Sequence, residues 1–323
     1  MCKDKYNLAK YSTYVFSNSV NKTGVKFSEI VGASNRKVDC SSLVSIMMKN
    51  YIVGDGSLVQ GVKRTGWLDT GNFTSLFKDQ TLSSDEIASE LNKRLVSELL
   101  AYVENRSTVG ILLSGGMDSR IVAGVLRRLQ LDGLFNGNIV ALTWGDLNSR
   151  DYVYSHSIAK SFSWDHYNIE ISGDVLNENF HICAARGAEY SPLHLHGINS
   201  IANLSGIDAV IAGSYGDSIG RGEYSGVHVS KLDGLLVDHF NKYGFLDSKF
   251  TQKFLPEIER DLLAFHSNEL SFSQNNEIDR HRHYMRRQLN SCMEIINEKI
   301  PLFQAFTSDP IVELMFSLSD KCR

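Results

Sequence analysis

A run of small and polar residues from Ser114 to Ser119 has the composition of an anion-binding loop. It is Ser-Gly-Gly-Met-Asp-Ser, in which Gly115 and Gly116 let the backbone approach a ligand closely. The hydroxyls of Ser114 and Ser119 add hydrogen-bond donors. Asp118 would repel a bare phosphate, but it suits Mg²⁺, which prefers one or two carboxylates together with phosphate oxygens. These side chains therefore predict a site for a phosphate group and Mg²⁺.

The loop lies between a predicted strand and a predicted helix. The apolar run Val109 to Leu113 predicts the strand, and apolar residues at helical spacing from Ile121 to Leu129 predict the helix. A helix that begins at the loop directs unpaired N–H groups and the positive end of its dipole towards an anion. The loop has neither the ending of a Walker loop nor the glycine spacing of dinucleotide folds. A turn that merely caps the helix is the alternative, and the strand–loop–helix context favours the anion site.

Strands and helices alternate through most of the chain. Further strands are predicted at 139–143, 167–171 and 209–212. A capping pattern at Ser83 to Glu86 predicts the start of a helix that continues with helical spacing from Ile87 to Glu104, and another helix is predicted at 150–162. This alternation predicts an α/β fold, with a parallel sheet covered by helices on both faces. Ligands in such sheets bind beyond the carboxyl ends of the strands. We expect a small α+β lead-in segment over residues 1–85 and the main domain over 86–323.

Composition and charge disfavour several classes of function. The net charge of -4 argues against broad nucleic-acid binding, which leaves a basic imprint on a sequence. The five cysteines are scattered and form no CxxC pair, which disfavours a disulfide framework or a zinc site and fits a cytoplasmic protein. No uncharged apolar stretch reaches ~18 residues, so no membrane span is predicted. The basic run His281 to Arg287 is interpreted as a solvated helix face or as a clamp for phosphates.

Val109 to Ser119 also resembles the PP-loop of the ATP pyrophosphatase superfamily, whose members cleave ATP between the α and β phosphates. Within that superfamily, the chain is similar to the synthetase domain of asparagine synthetases and to the β-lactam synthetases. Four further stretches carry the resemblance in the same order along the chain, at 43–68, 143–160, 212–218 and 299–314. The resemblance implies an adenine nucleotide α-hydrolase-like fold and a need for ATP and Mg²⁺.

The resemblance implies roles for the matching residues. Asp118 and Asp217 would be the Mg²⁺ ligands, and Gly213 would approach the α-phosphate or an acyl-adenylate. Together with Asp118, the other loop residues would bind pyrophosphate: Ser114, Gly115, Gly116 and Ser119. Leu113 and Thr143 would lie beside the adenine.

Departures from the family pattern leave several roles open. Tyr215 could act with Glu294 or Glu298 as a base, or be a packing residue beside the site. Arg120 could reach substrate or phosphate, or pair with a surface carboxylate. The family has a lysine further along than this chain reaches, so its positive charge is expected from one of four other residues: Lys299, Arg286, Arg287 or Arg221.

Cys2 stands where glutamine-dependent relatives have a nucleophile, but Lys3 follows it, and the short lead-in segment cannot hold a glutaminase. Nitrogen is therefore expected from ammonia, from an amine substrate or from a separate amidotransferase. A subunit that completes the C-terminal part is a further possible partner, and an oligomer is compatible with the sequence.

The predicted function is an ATP-dependent carbon–nitrogen ligase that adenylates a carboxylate, releases pyrophosphate and forms an amide. Two alternatives stay open. One is a partner-dependent or non-catalytic ATP-binding subunit. The other is an adenylating PP-loop enzyme that acts on a nucleotide or a tRNA, which the lack of cysteine pairs and of a basic surface disfavours.

Overall fold

The computed structural model describes residues 14–17, 22–24, 27–32, 37–65, 73–220, 223–224, 227–235 and 244–322. The chain divides into two units, each built from three separate segments. The first unit comprises residues 1–74, 173–195 and 230–294, and the second comprises 75–172, 196–229 and 295–323. The boundary predicted at residue 85 separates a lead-in segment from a main domain, which is a different kind of division from these two compact units. That boundary stays a prediction.

Within the described residues, the strands are short. They are β1 (Tyr14–Ser17), β2 (Lys22–Gly24), β3 (Val62–Thr65), β4 (Thr108–Leu112), β5 (Asn138–Trp144), β6 (Asp165–Ile169), β7 (Ala209–Ala212), β8 (Glu223–Tyr224), β9 (Val227–His228) and β10 (Leu302–Gln304).

The described α-helices are more varied in length. They are α1 (Phe27–Gly32), α2 (Cys40–Lys49), α3 (Ser84–Val103), α4 (Met117–Leu131), α5 (Arg150–Phe162), α6 (Gly173–Ala185), α7 (Ile198–Ala202), α8 (Ser248–Leu263), α9 (Phe272–Asp279), α10 (Ser291–Asn297) and α11 (Asp309–Ser317). Two π-helices cover Gly216–Gly220 and Arg280–Asn290. Within the described residues, no helix is long and apolar enough to cross a membrane.

The second unit contains a five-stranded parallel sheet in the order β10-β7-β4-β5-β6. The chain moves outwards from β4 through β5 to β6, and then returns to the other side of β4 to form β7 and β10. Right-handed crossovers in opposite directions place helices on opposite faces. The predicted α/β fold, a parallel sheet with helices on both faces, is therefore confirmed. The reversal of direction between β4 and β7 is the point where ligands bind in such sheets.

The central strands form because they are apolar and buried on both sides. All four residues of β7 are buried, as are four of the five in β4. The edge strand β6 has a mixture of exposed and buried residues, and it begins at Asp165, two residues before the predicted strand. An apolar run does not mark the start of an edge strand, because one side of such a strand faces solvent.

Capping residues set where the helices begin. Ser83 and Glu86 form the predicted capping box at the start of α3, in which each side chain accepts a hydrogen bond from the other residue's backbone N–H. Asp39 caps α2 by accepting a hydrogen bond from the Ser42 N–H group. Both helix starts are therefore encoded locally.

The first unit contains a three-stranded antiparallel sheet in the order β2-β1-β3. Its helices α2 and α8 pack against each other through an apolar cluster. The buried members of that cluster are Val44, Met48, Tyr51, Val53, Leu235, Ile258 and Leu262.

The basic run His281 to Arg287 lies in the first unit, and its interpretation as a solvated face was wrong. Six of its seven residues are buried. Arg286 donates to Asp55 Oδ1 over 2.8 Å, and Arg287 donates to Glu189 Oε2 over 2.7 Å. Burial is possible because carboxylates from distant parts of the chain compensate the charges, a pairing that helical periodicity does not reveal.

Candidate functional site

Two loops follow the central strands of the second unit at the carboxyl edge of its sheet. Leu112 and Ala212 are register partners at the ends of β4 and β7, so the loops that follow these strands begin side by side. One loop leads into α4 and the other into the first π-helix. The Asp217 N–H group donates to Asp118 Oδ2 over 3.0 Å. The two residues predicted to hold Mg²⁺ are thereby brought together across 99 positions of sequence.

The serines of the first loop shape it from within. Ser119 Oγ accepts a hydrogen bond from the Ser114 N–H group over 3.1 Å and lies 3.1 Å from the Ser114 carbonyl oxygen. Ser114 Oγ in turn accepts from the Gly116 N–H group over 3.1 Å. These contacts hold the loop in a tight turn at the beginning of α4.

The first turn of α4 has no side-chain cap. Its N-cap residue is Gly116, which is exposed and has no side chain that could accept a hydrogen bond from the first N–H groups of the helix. The first N–H groups of a helix have no partners within the helix, so an uncapped and exposed helix start suits an anion. Arg120 is exposed in the same turn, where its Nε donates to the Gly116 carbonyl oxygen over 3.3 Å.

Glycines let the second loop approach the first. A Cβ atom on Gly213 would lie 2.8 Å from the Ser119 backbone nitrogen, and one on Gly216 would lie 2.3 Å from Asp118 Cγ. Tyr215, between them, is buried with a φ of 71°, in the left-handed region that few non-glycine residues adopt. The loop after β7 is thus packed directly against the start of α4.

Thr143, at the end of β5, supports the first loop from behind. Its Oγ1 donates to the Leu113 carbonyl oxygen over 2.8 Å, and it lies 2.9 Å from Ser155 Oγ and 3.2 Å from His166 Nε2. Burial, and then the neighbouring His156, lower the pKa of His166 below its usual value. Ser155 and His166 were not predicted as site residues, because a serine and a histidine at unremarkable spacing carry no signal until their strands and helix are assembled.

Asp151 is another residue of this region to which the sequence assigned no role. Its Oδ1 accepts a hydrogen bond from the Gly115 N–H group over 2.9 Å. The signal in the sequence was an acidic residue in the first turn of α5, which is also the common preference of any helix start.

Other predicted residues lie away from these loops. Lys299 precedes β10, at the amino edge of the sheet, and its Nζ donates to Asn203 Oδ1 before β7. The structure therefore does not bring Lys299 to the loop at the opposite edge. Glu298 is exposed beside it.

The remaining predicted cations and the other candidate base belong to the first unit or lie outside the described residues. Arg286 and Arg287 are fully buried there. Glu294 pairs with Arg186 over 3.1 Å and with Arg64 over 3.3 Å. Arg221 and Cys2 lie outside the described residues.

The arrangement fits a Mg²⁺ ion carried by a nucleotide. Among the described residues there is no group of three or more histidine, cysteine or acidic side chains that could hold a metal by itself. Asp118 and Asp217 are two acidic residues beside an uncapped helix start. Mg²⁺ commonly binds to one or two carboxylates and completes its coordination with phosphate oxygens and water, so two carboxylates are enough.

A family model described as asparagine synthase matches residues 92–294 of the chain. No curated protein matches the chain.

The chain is distantly similar to several solved structures, three of which follow. A predicted tRNA methyltransferase subunit from Methanocaldococcus jannaschii is 17% identical over 47% of this chain and 64% of that chain, with a TM-score of 0.24. The U34-tRNA thiolase NcsA from Methanococcus maripaludis is 14% identical over 66% and 80% of the two chains, with a TM-score of 0.32. The NMN synthetase from Francisella tularensis is 15% identical over 72% and 97%, with a TM-score of 0.29. The chain thus spans less than two thirds of the first of these proteins, and no function is taken from likenesses of this size.

Proposed function

Since the chain belongs to the asparagine synthase family, we propose that it is an ATP-dependent, AMP-forming ligase that joins a small-molecule carboxylate to ammonia or an amine. In the first step, a carboxylate oxygen of the substrate attacks the α-phosphorus of ATP and pyrophosphate leaves, which gives an acyl-adenylate. In the second step, the nitrogen nucleophile attacks the acyl carbon, AMP leaves and an amide forms.

One observation supports the proposal more than any other. The loop from Ser114 to Ser119 and the loop that carries Asp217 meet at the point where the order of strands reverses, joined by the hydrogen bond to Asp118. A nucleotide at this point would have its phosphates beside the uncapped start of α4. Asp118 is a proposed metal ligand, and its carboxylate also accepts the hydrogen bond that holds the two loops together.

The proposed roles follow from these positions. Ser114, Gly115, Gly116 and Ser119 form the turn that receives pyrophosphate, and Gly213 allows the α-phosphate to approach. When bound by Asp118 and Asp217, Mg²⁺ would neutralise charge on the phosphates. Leu113 and Thr143 stay proposed neighbours of the adenine, although the Thr143 hydroxyl is already bonded to the Leu113 carbonyl oxygen.

The proposed base and cation differ in their support. Tyr215 lies in the loop after β7, and it stays a proposed base for the nitrogen nucleophile. Among the cations that the sequence suggested and the structure describes, Arg120 is the one placed at the loop, so we propose that Arg120 interacts with the phosphates.

A partner-dependent or non-catalytic ATP-binding subunit is the second candidate. The observation in its favour is the position of Lys299 at the amino edge of the sheet, away from the loops. In that case, a separate subunit would supply the missing positive charge. An amidotransferase that delivers ammonia is the other partner we propose.

The test is to incubate the protein with ATP, Mg²⁺ and a panel of small carboxylates, each with ammonia or an amine, and to measure AMP and pyrophosphate. We expect both products with at least one pair of substrates. ATP binding without AMP formation for every pair would contradict the ligase and favour the binding subunit.

Variants of Asp118 test its role within that assay. Asp118→Asn keeps an oxygen that can accept the Asp217 N–H, but it removes the charge that Mg²⁺ needs. We expect both Asp118→Asn and Asp118→Ala to abolish Mg²⁺-dependent pyrophosphate release, and the Asn variant to keep the melting temperature of the wild type. Asp132→Ala, at the other end of α4, is the control. Unaltered release in Asp118→Asn would remove this carboxylate from the mechanism.

A further inference from the structure

We propose that Asp151 is a positioning residue, which holds the phosphate-binding loop in shape by binding the Gly115 N–H group from the start of α5. The inference rests on the proposed function, because it concerns the same loop. It adds a residue on a neighbouring helix, outside the loop and outside the pair of proposed metal ligands.

The contact between Asp151 and the loop is close on several sides. Asp151 Oδ1 accepts the Gly115 N–H over 2.9 Å. A Cβ atom on Gly115 would lie 2.8 Å from Tyr154 Cδ2, 3.3 Å from Asp151 Oδ1 and 3.4 Å from the Arg150 carbonyl oxygen. Gly115 is buried, whereas Gly116 beside it is exposed. The loop therefore turns its first glycine towards α5 and its second towards solvent.

The residues around Asp151 hold it in this position. Ser149 caps α5 by accepting a hydrogen bond from the Tyr152 N–H over 3.2 Å, which fixes the first turn of the helix. The Arg150 guanidinium lies over the Tyr154 ring, 5.5 Å from its centroid. Asp151 is thus presented by an ordered helix start, and its carboxylate is further favoured there by the helix dipole.

The contact decides which N–H groups are available to a phosphate. The Gly115 N–H is directed to a carboxylate of the protein, so it does not point at the ligand. The groups that can bind the phosphates are the first N–H groups of α4 and the Ser114 hydroxyl, because the Ser119 hydroxyl lies 3.1 Å from the Ser114 and Gly116 carbonyl oxygens and donates within the loop. A hydrogen bond from N–H to an ionised acceptor is stronger than one to a neutral acceptor, which suits a bond that must keep a glycine turn in one conformation.

The loop is also held from its other side. Asp118, at the end of the same turn, accepts the N–H of Asp217 over 3.0 Å. The turn is therefore fastened at both ends by bonds between a carboxylate and a backbone N–H, one from α5 and one to the loop after β7. Without the first bond, Gly115 regains the freedom of an unrestrained glycine, and the cost of ordering the loop falls on ligand binding.

The test compares Asp151→Ala and Asp151→Asn with the wild type. The Ala variant removes the acceptor, whereas the Asn variant keeps an acceptor oxygen and removes the charge. Asp146→Ala is a matched control, because Asp146 is also exposed just before α5 and accepts a backbone N–H, from Asn148 over 2.7 Å, but is not in the contact with Gly115. Binding of ATP with Mg²⁺, and of inorganic pyrophosphate with Mg²⁺, is measured by calorimetry. Hydrogen exchange is followed in the peptide that contains residues 113–119.

We expect Asp151→Ala to bind ATP and pyrophosphate about tenfold more weakly, the effect of losing one charge-assisted hydrogen bond. Its loop should exchange faster, while its melting temperature stays near that of the control. Asp151→Asn, whose amide oxygen is a neutral and therefore weaker acceptor, should recover part of the affinity and the protection. This recovery separates the bond from any effect of the charge.

Three results would overturn the inference. They are equal affinity in Asp151→Ala and the control, tighter binding in Asp151→Ala, and an Asn variant as weak as the Ala variant. Wild-type protein that binds neither ATP nor pyrophosphate would overturn the proposed function, and this inference with it. Wild-type binding of ATP without AMP formation would contradict the ligase alone, because the binding comparison does not depend on turnover.

Discussion

Single glycines decide how closely the two loops of the candidate site can approach. Gly213 lies against the backbone of α4, and Gly216 lies against the Asp118 carboxylate. Neither of these two glycines has a positive φ. Each position therefore requires glycine because there is no space for a side chain, and not because the backbone conformation is unusual. Backbone atoms cannot move aside as the end of a flexible side chain can.

Gly213→Ala tests this requirement for space. Its Cβ would meet the Ser119 nitrogen at 2.8 Å and the Asp118 carbonyl carbon at 2.9 Å, so α4 and the loop must move apart. We expect a loss of about 1–3 kcal/mol in the free energy of unfolding, as for other overpacked sites. ATP affinity should fall as well, because the shift displaces the first turn of α4. Urea denaturation and calorimetry measure the two effects.

Gly124→Ala is the matched control, because Gly124 lies in α4, the helix against which Gly213 packs. A Cβ atom at Gly124 meets nothing within 4 Å. The substitution should raise the free energy of unfolding by about 0.4–1 kcal/mol, because alanine loses less backbone freedom on folding. A Gly213→Ala variant as stable as the wild type would show that the loops do not pack as described.

At the scale of elements, one histidine joins two strands and a helix behind the phosphate-binding loop. His166, on β6, lies 3.2 Å through its Nε2 from both Thr143 of β5 and Ser155 of α5. His166 Nδ1 lies 3.4 Å from His156 Nδ1, and the Tyr152 ring is tilted against it. A positive charge does not suit this position, since burial first and then His156 lower the pKa of His166.

The lowered pKa of His166 predicts how stability changes with pH. The folded protein keeps His166 neutral below the usual pKa of 6.5, whereas the unfolded chain takes up a proton there. The stabilisation is present above pH 6.5 and is lost as the pH falls through the folded pKa. We expect the free energy of unfolding to fall more steeply in the wild type than in His166→Gln between about pH 7 and pH 5.

Denaturant titrations at several pH values give this difference, and NMR titration of the imidazole gives the pKa itself. Burial, as the largest cause, also lowers the pKa of His283, so His283 contributes to the pH dependence of stability as well. The difference between the wild type and His166→Gln isolates the contribution of His166. An identical pH dependence in the two proteins would contradict the assignment.

At the scale of the whole molecule, the first unit is organised around buried charges. Glu189 is fully buried and lies 2.7 Å from Arg287 and 3.3 Å from Arg64. Arg64 also forms an ion pair with Glu294, and Glu294 forms another with Arg186. Burial lowers the pKa of Arg287 to about 10, against the opposing effect of Glu189, so the guanidinium stays charged near pH 7. These ions come from segments far apart in sequence, and they hold the discontinuous unit together.

Glu189→Gln tests this network. The substitution keeps the size of the side chain but leaves the buried Arg287 guanidinium without the charge of Glu189, whereas Arg64 keeps its pairing with Glu294. We expect it to lower the free energy of unfolding by about 3–5 kcal/mol, as when one partner of a buried ion pair is removed. The measurement is denaturant unfolding followed by circular dichroism.

Asp132→Asn is the control for that experiment. Asp132 pairs with Arg128 at the exposed end of α4. Exposed pairs contribute little, so no measurable loss of stability is expected. Equal stability of Glu189→Gln and this control would mean that the buried network does not stabilise the unit.

The amino-acid sequence by itself determined the local features of this protein. The start of α3, the strand before the phosphate-binding loop and the loop itself were all predicted, because capping, periodicity and glycine turns act over a few residues. The order of alternating elements was enough to predict the class of fold and the edge of the sheet where a ligand would bind.

Only the tertiary structure decided which distant residues meet. It joined Asp217 to Asp118 and Asp151 to Gly115, and it buried the arginines of the run His281 to Arg287 that had been interpreted as a solvated face. It also put Lys299 at the opposite edge of the sheet from the loop. The reason is physical: the order of strands and the pairing of charges depend on contacts between residues far apart in sequence, from 36 positions for Gly115 and Asp151 to 231 for Asp55 and Arg286, which a pattern of local spacing does not contain.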